Sequence, residues 1–184
     1  MGTCAFTAHR PNKLYGYNIY IPKYYKLGRL IRGECINLIE KQGISNFISG
    51  GALGGDTISF LVVDKLKNIY PNIKNILAIP FKNQPIKWSN QIDINRYNKI
   101  KSLADEIIYV DTLEQYKIKG YQKDIYYPAK MQKRNEFMCD KADILIAVWD
   151  GSKGGTANCV RYMKKLGKEI IRIDPCNLSE VSIC

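Results

Sequence analysis

The chain has a single histidine, His9, in 184 residues, and its six cysteines form no CxxC pair. Zinc centres draw on clustered thiolates and imidazoles, so no metal and no cofactor is expected. Cys4, Cys35, Cys139, Cys159, Cys176 and Cys184 instead read as free thiols of a reducing compartment. Long apolar runs are missing too, none approaching the ~20 residues a membrane-spanning helix needs. Residues Met1 to Thr7 lack the basic-then-apolar order of a secretory signal, and Phe6 breaks a myristoylation pattern. A cytoplasmic protein with no membrane partner is the expectation. No Gly/Ser/Pro-rich break or internal repeat interrupts the chain, so residues 1–184 read as one domain with a real core. Acidic residues are scarce, 17 against 28 basic ones, for a net charge of +11. That excess suits an anionic partner. The lysines are scattered, however, and together with abundant Asn, Ile and Tyr they read mainly as the coding bias of an AT-rich genome.

What is present is organised around residues 142–163. Asp143-Ile-Leu-Ile-Ala-Val-Trp149 has the pattern of a strand buried on both faces of a parallel sheet. Asp150-Gly-Ser-Lys-Gly-Gly-Thr156 follows as a glycine turn, and a helix then carries Val160, Met163 and Leu166 on one face. Strand, glycine turn and helix aim free backbone N–H groups at an anion. A second copy lies earlier, where Asn46–Ser49 leads into Gly50-Gly-Ala-Leu-Gly-Gly-Asp56 and a helix over 57–69 striped with Ile58, Leu61, Val62 and Leu66. Two such turns predict a bipartite cradle at the carboxyl ends of neighbouring strands. Taken singly, each is also what any tight strand-to-helix connection contains.

Further strands are expected at Cys4–Thr7, Ile73–Ile79, Glu106–Val110 and Glu169–Ile173. Helices are expected over Leu27–Gln42, from a Ser89 cap to about Ala104, and over Lys130–Cys139. Residues 12–26 read as a tyrosine-rich connection that either stacks on a base, forms a dimer surface or pads a loop. Residues 111–128 read as a flap over the site or a surface excursion, and the tail to Cys184 carries no signal. The alternation predicts an α/β, Rossmann-like fold with a mostly parallel central sheet flanked by helices.

Thr7-Ala-His-Arg-Pro11, Gly50-Gly-Ala-Leu-Gly-Gly-Asp56, Gln84…Trp88, Lys133-Arg-Asn135…Met138…Asp140 and Leu145-Ile-Ala-Val-Trp-Asp-Gly151…Gly154-Gly-Thr156 together resemble the YpsA-like branch of the SLOG superfamily. The resemblance runs from Cys4 to Pro175. That superfamily includes the lonely-guy phosphoribohydrolases, the DNA-uptake protein DprA and sensor domains for nucleotide-derived signals, among them cyclic ADP-ribose species in anti-phage systems. What it implies is the SLOG form of the Rossmann-like fold, a pocket for a nucleotide or its relative, and homo-oligomers, dimeric or tetrameric. Two departures stand out. Ala8 replaces the usual glycine of the first turn and is expected to crowd it. After Gly155-Thr156 come Ala157, Asn158 and Cys159, with no acid where the phosphoribohydrolases carry a catalytic glutamate.

The expected ligand-binding set is Thr7, His9, Arg10, Gly50, Gly51, Leu53, Gly54, Asp56, Trp88, Arg134, Asn135, Asp150, Gly151, Gly154, Gly155 and Thr156. The glycines would present N–H groups to phosphate, Arg10 a bidentate fork, Thr156 a hydroxyl or a helix cap, and Trp88 a stacking ring or a core side chain. His9 would bond a ligand or the neighbouring loop; Arg134 and Asn135 would line the site or staple helix to sheet. Asp56 would steady its helix dipole or hold ribose hydroxyls. The leading expectation is a protein that binds an ADP-ribose-like or cyclic ADP-ribose-type signal, as sensor or sequestering protein, in phage–host immune signalling. The first alternative is an N-glycosidic or phosphoribosyl hydrolase using Asp56 or Asp150, since such chemistry needs a placed carboxylate. The second is a nucleic-acid-binding module.

Overall fold

A computed structural model describes residues 2–178 and 181–183. Cys184 lies outside them. The described elements are β1 (Gly2–Ala8), α1 (Pro22–Gln42), β2 (Ile44–Ser49), α2 (Gly55–Leu66), β3 (Lys74–Ile79), α3 (Gln91–Leu103), β4 (Glu106–Tyr109), α4 (Pro128–Lys141), β5 (Ile144–Val148), α5 (Gly155–Lys165), β6 (Glu169–Ile173) and β7 (Val181–Ile183). They form one sheet in the order β4-β3-β2-β1-β5-β6-β7. All neighbouring pairs are parallel except β6 and β7. The fold is α/β and Rossmann-like, as the strand–helix alternation predicts.

Alternate side chains of each strand point to opposite faces, and here both faces are covered. Cys4, Phe6, Phe47 and Ile146 pack with Leu27, Ile31 and Leu38 of α1 and Val63 of α2. On the other face Ala5, Ile48, Ala78, Leu145 and Ala147 meet Phe137 and Met138 of α4 and Val160 and Met163 of α5. Alanines at three of those sheet positions leave room for α4. Leu77 and Ile79 pack with Phe60 of α2 and Tyr97 and Ile100 of α3. Because α2 packs against both α1 and α3, its whole first turn and a half, Gly55–Phe60, is buried.

Several boundaries differ from the expectation. The tail supplies a seventh strand, with Ile173 opposite Val181 and Ile171 opposite Ile183; an antiparallel return needs only a short connection, so three residues suffice. The cap of α3 is Asn90, whose side chain accepts from Ile92 N at 2.8 Å, not Ser89. Helix α1 starts at Pro22, where the fixed φ suits a first turn. It thus takes in part of the tyrosine-rich stretch, whose rings divide. Tyr24 is buried and donates to the Gly16 carbonyl at 2.7 Å, and Tyr15 packs edge-on against it. Tyr17, Tyr20 and Tyr25 are exposed. The stripe of α2 is Ile58, Phe60, Val63 and Leu66, with Leu61 and Val62 only half-buried, and Leu166 of the α5 stripe is exposed. Strand β5 ends at Val148; Trp149 bends away and donates from Nε1 to the Ser152 carbonyl.

Residues 111–128 pack against α4 through a buried ion pair, Lys130 to Asp111 at 2.9 Å, and a bond from Lys130 to the Gln122 carbonyl at 2.7 Å. Among the described residues no helix is long and apolar enough to cross a membrane, and no group of three or more His, Cys, Asp or Glu is placed to hold a metal.

Candidate functional site

The chain leaves β1 toward β2 on one side of the sheet, whereas β5 lies on the other, so the gap between the carboxyl ends of β1 and β5 is the topological switch point. Ala8 stands opposite Val148 there. A cavity of about 320 Å³ opens at this point, in the range of small-molecule sites. Of the expected residues, Thr7, His9, Arg10, Asp56, Arg134, Asn135, Gly154, Gly155 and Thr156 line it.

Two crosslinks hold the β1 end to the loop after β5. His9 Nε2 meets Asp150 Oδ1 at 2.7 Å. Lys13 Nζ donates to Ser152 Oγ at 3.0 Å and to the Lys153 carbonyl at 2.8 Å. Burial alone would lift the Asp150 carboxyl, but the Ser152 backbone N–H and hydroxyl, with His9, hold it well below the ordinary value. Asp150 is therefore an anchor for the loop rather than a proton donor, and it does not line the cavity.

The two glycine turns differ in what their glycines are for. A Cβ on Gly50 would fall 1.3 Å from Arg134 Nη1 and 2.8 Å from Asp56 Oδ2. One on Gly55 would fall 2.2 Å from the Ala8 methyl. This glycine turn is thus packed on protein, and the Ala8 methyl, expected to crowd its own turn after β1, seats in the space that Gly55 leaves. Two of its amides also serve the protein, since the Ala52 N–H donates to Asp56 Oδ2 at 3.4 Å and the Gly50 amide helps to hold the Asp56 charge. The second turn is open. No atom lies within 4 Å of a Cβ built on Gly151 or Gly155, and only Lys13 Nζ comes that near to Gly154.

The helices that follow differ in the same way. The first turn of α2 contains Asp56, a carboxylate against the helix dipole. The first turn of α5 has no acid and no side-chain cap, and Gly154, Gly155 and Thr156 bring it to the cavity wall. The N–H groups of such a turn have no partner within the helix.

Opposite stands Arg134 on α4. It is buried, lines the cavity, and its Nη1 has no hydrogen-bond partner. Asp56 Oδ2 is 3.6 Å away, an ion pair beyond hydrogen-bond length. Burial outweighs that attraction on both sides. It raises the Asp56 carboxyl against the pull of Arg134, Arg10 and the two amides, and it lowers the Arg134 guanidinium against the pull of Asp56. A buried donor left unpaired costs roughly 1–3 kcal/mol. An anion between Arg134, Arg10 and the α5 terminus would satisfy it.

The remaining expected residues sit elsewhere. Gly50, Gly51 and Gly54 shape the first turn behind the wall, and Gly151 lies on the exposed loop. Leu53 and Trp88 line a separate cavity with Tyr17 and Asn90, and Trp88 packs edge-on against Tyr97. Gln84 donates to the Gly50 carbonyl at 3.2 Å. The sequence reading missed Ala8, Asn12, Lys13, Ala52, Met131 and Met138 as lining residues. Helical spacing was the usable signal for two of them: Met131, Arg134, Asn135 and Met138 fall at i, i+3, i+4 and i+7, one face of α4.

Comparison with known proteins agrees with this fold. The chain is 44% identical over 156 residues to the SPbeta prophage-derived protein YoqJ of Bacillus subtilis (strain 168), covering 84% of this chain and 91% of that one. It is 29% identical over 145 residues to the UPF0398 protein BH1768 of Halalkalibacterium halodurans, covering 79% and 69%. Among solved structures it superposes on DNA processing protein A of Helicobacter pylori, described for its single-stranded DNA binding mode, with a TM-score of 0.58 at 20% identity. The DprA of Streptococcus pneumoniae gives 0.56 at 13% identity. These alignments cover 94% and 95% of this chain, which spans only 65% and 50% of those proteins, and at such identity they show a shared fold. Residues 4–175 match the YspA SLOG family, and with the two glycine turns and the switch-point cavity in place, the chain belongs to that family.

Proposed function

We propose that the chain binds a nucleotide-derived, phosphate-bearing small molecule of the ADP-ribose or cyclic ADP-ribose type in the switch-point cavity, as a sensor or sequestering protein. One observation carries the reading: the uncapped, acid-free N-terminus of α5 lines the same cavity as Arg10 and a buried arginine, Arg134, whose Nη1 has no partner. Donors arranged so, on rigid elements and partly out of water, suit a phosphate or diphosphate. The cavity is also large enough for more than a bare ion. Kinship to a prophage-derived protein supports placing such capture in phage–host signalling.

A specific observation favours hydrolysis as the second reading. Asp56 lines the cavity with a carboxyl that burial lifts above its ordinary value, as a general acid requires. Asp150, held low and off the wall, leaves this role to Asp56 alone.

Incubation with ADP-ribose, cyclic ADP-ribose, AMP and NAD, followed by thermal shift and mass spectrometry of the recovered nucleotide, tests both. A stabilised protein and an intact ligand are expected. Release of base or ribose phosphate, abolished by Asp56→Asn, would replace binding with hydrolysis. Tight, steeply salt-dependent binding of a single-stranded oligonucleotide with no response to nucleotides would overturn both.

A further inference from the structure

Helices α4 and α5 run side by side on one face of the sheet and touch at two successive levels. At the cavity, Asn135 Nδ2 donates to the Gly155 carbonyl at 3.3 Å. Four residues further along each helix, hence one turn below on the same faces, Cys139 and Cys159 meet with their sulfurs 3.4 Å apart. Both are fully buried. Cys139 also lies 3.7 Å from the Cys159 carbonyl. The Thr7 side chain favours the Cys159 thiolate and is itself part of the cavity wall, so the sulfur lies just behind that wall. The contact with Cys139, then Thr7 and the Arg134 charge, favour the thiolate of Cys159 against burial, while Cys139 is pushed up by its bond to Cys159 and by burial.

We propose that Cys139 and Cys159 form a dithiol site that hydrogen peroxide oxidises to a disulfide, and that closing this bond weakens anion binding one helical turn away. In the first step the Cys159 sulfur attacks one peroxide oxygen and the O–O bond breaks. The departing hydroxide takes up the proton lost by Cys159, which is left as a sulfenic acid. In the second, the Cys139 sulfur attacks the Cys159 sulfur, the S–O bond breaks, and the hydroxyl leaves with the Cys139 proton as a second water. Two electrons pass from the sulfur pair to the peroxide. A disulfide holds its sulfurs about 2.05 Å apart, so the two sulfurs must close by more than about 1 Å and draw the lower level of the helix pair together. Binding groups tolerate displacements of only about 0.5 Å. The Asn135–Gly155 bond and the registration of Arg134 against the α5 terminus are then lost. The effect on binding rests on the proposed function; the thiol chemistry does not.

The test uses a Cys176→Ser, Cys184→Ser background, so that the tail thiols do not compete, with Cys4 and Cys35 as buried internal controls. After hydrogen peroxide and alkylation, peptide mapping should find Cys139 and Cys159 joined, about 2 Da lighter than the free pair and restored by dithiothreitol. ADP-ribose affinity by calorimetry should fall by at least about tenfold on oxidation and recover on reduction. Cys139→Ala and Cys159→Ala should each bind the probe, form no disulfide at this site and keep their affinity after peroxide, with the Cys159 of Cys139→Ala mapped at the sulfenic stage or beyond. Free, alkylated Cys139 and Cys159 at peroxide doses that consume the Cys176 thiol of the unmodified chain would overturn the site, and a disulfide with unchanged affinity would overturn its effect on binding. If the reduced protein binds no ADP-ribose, the ligand reading fails and the peptide map still decides the thiol chemistry.

Discussion

Gly50 is glycine because the guanidinium of Arg134 occupies the space where its side chain would be. In Gly50→Ala the new methyl must displace that buried ion or the turn itself, and we expect a loss of roughly 1–3 kcal/mol or more in urea denaturation, the usual cost of overpacking. Gly155→Ala meets nothing within 4 Å and should leave stability unchanged or slightly higher. The same guanidinium should carry ligand affinity through its planar fork, which lysine does not reproduce. Arg134→Lys is therefore expected to weaken ADP-ribose binding by roughly 10- to 100-fold, about the worth of a hydrogen bond to a charged group, read by calorimetry. Here the sequence was legible in kind but not in use. A run of six residues with four glycines reads as a phosphate turn, and nothing local says that an arginine far along the chain fills the gap. Arg134 itself was legible only as a residue that lines the site or staples helix to sheet, and the structure has it lining the cavity beside Asp56.

The two glycine turns lead into helices with opposite polarity of need. Asp56 meets the dipole of α2 within the protein, whereas α5 begins with no acid at all. An acid placed at the start of α5 should thus act in opposite directions on folding and on binding. Gly155→Asp has room for its side chain. It should raise thermal stability by about 0.3–1 kcal/mol through the dipole, more if Lys13 and Arg10 pair with it. It should also lower nucleotide affinity at least about tenfold by competing for the anion's place. Melting curves and calorimetry on one variant read both signs; affinity unchanged would show that the α5 terminus does not hold the ligand. The strands and long helices were legible from their periods. The start of α1 was not, because in Pro22–Lys26 a single buried ring, Tyr24, stands among exposed residues, and a tyrosine extends the Leu27–Ile31 stripe less visibly than an aliphatic would. Nor was the split of the tyrosines, which depends on where Gly16 and Pro175 offer carbonyls.

Across the whole molecule, the halves of the sheet are joined at their carboxyl ends by the His9–Asp150 contact and the Lys13 bonds. A carboxyl whose folded value is depressed adds stability above its ordinary value near 3.8 and loses it as pH falls through the lower, folded value. Stability should therefore drop on acidification below about pH 4. In Asp150→Asn that drop should be smaller and the stability at neutral pH lower, so that the gap between the two proteins narrows from pH 7 to pH 3 in urea titrations. Parallel curves across that range would show that Asp150 does not anchor the loop. Alternating strands and helices made the strands and their parallel sense legible up to β6, and their order in the sheet came from the structure. The seventh strand escaped because three residues after a proline turn are too few to show alternation.

That short strand also has a bearing on how the protein behaves at high concentration. Without Val181–Ile183, the outer side of β6 would present a bare row of amide and carbonyl groups beside Ile170, Ile171 and Ile173, a template on which another chain's strand can dock and grow. Three residues close it off, and the exposed side chains of Val181 and Ser182 leave the new margin too brief to recruit a neighbour. This short seventh strand is in this sense a guard against aggregation.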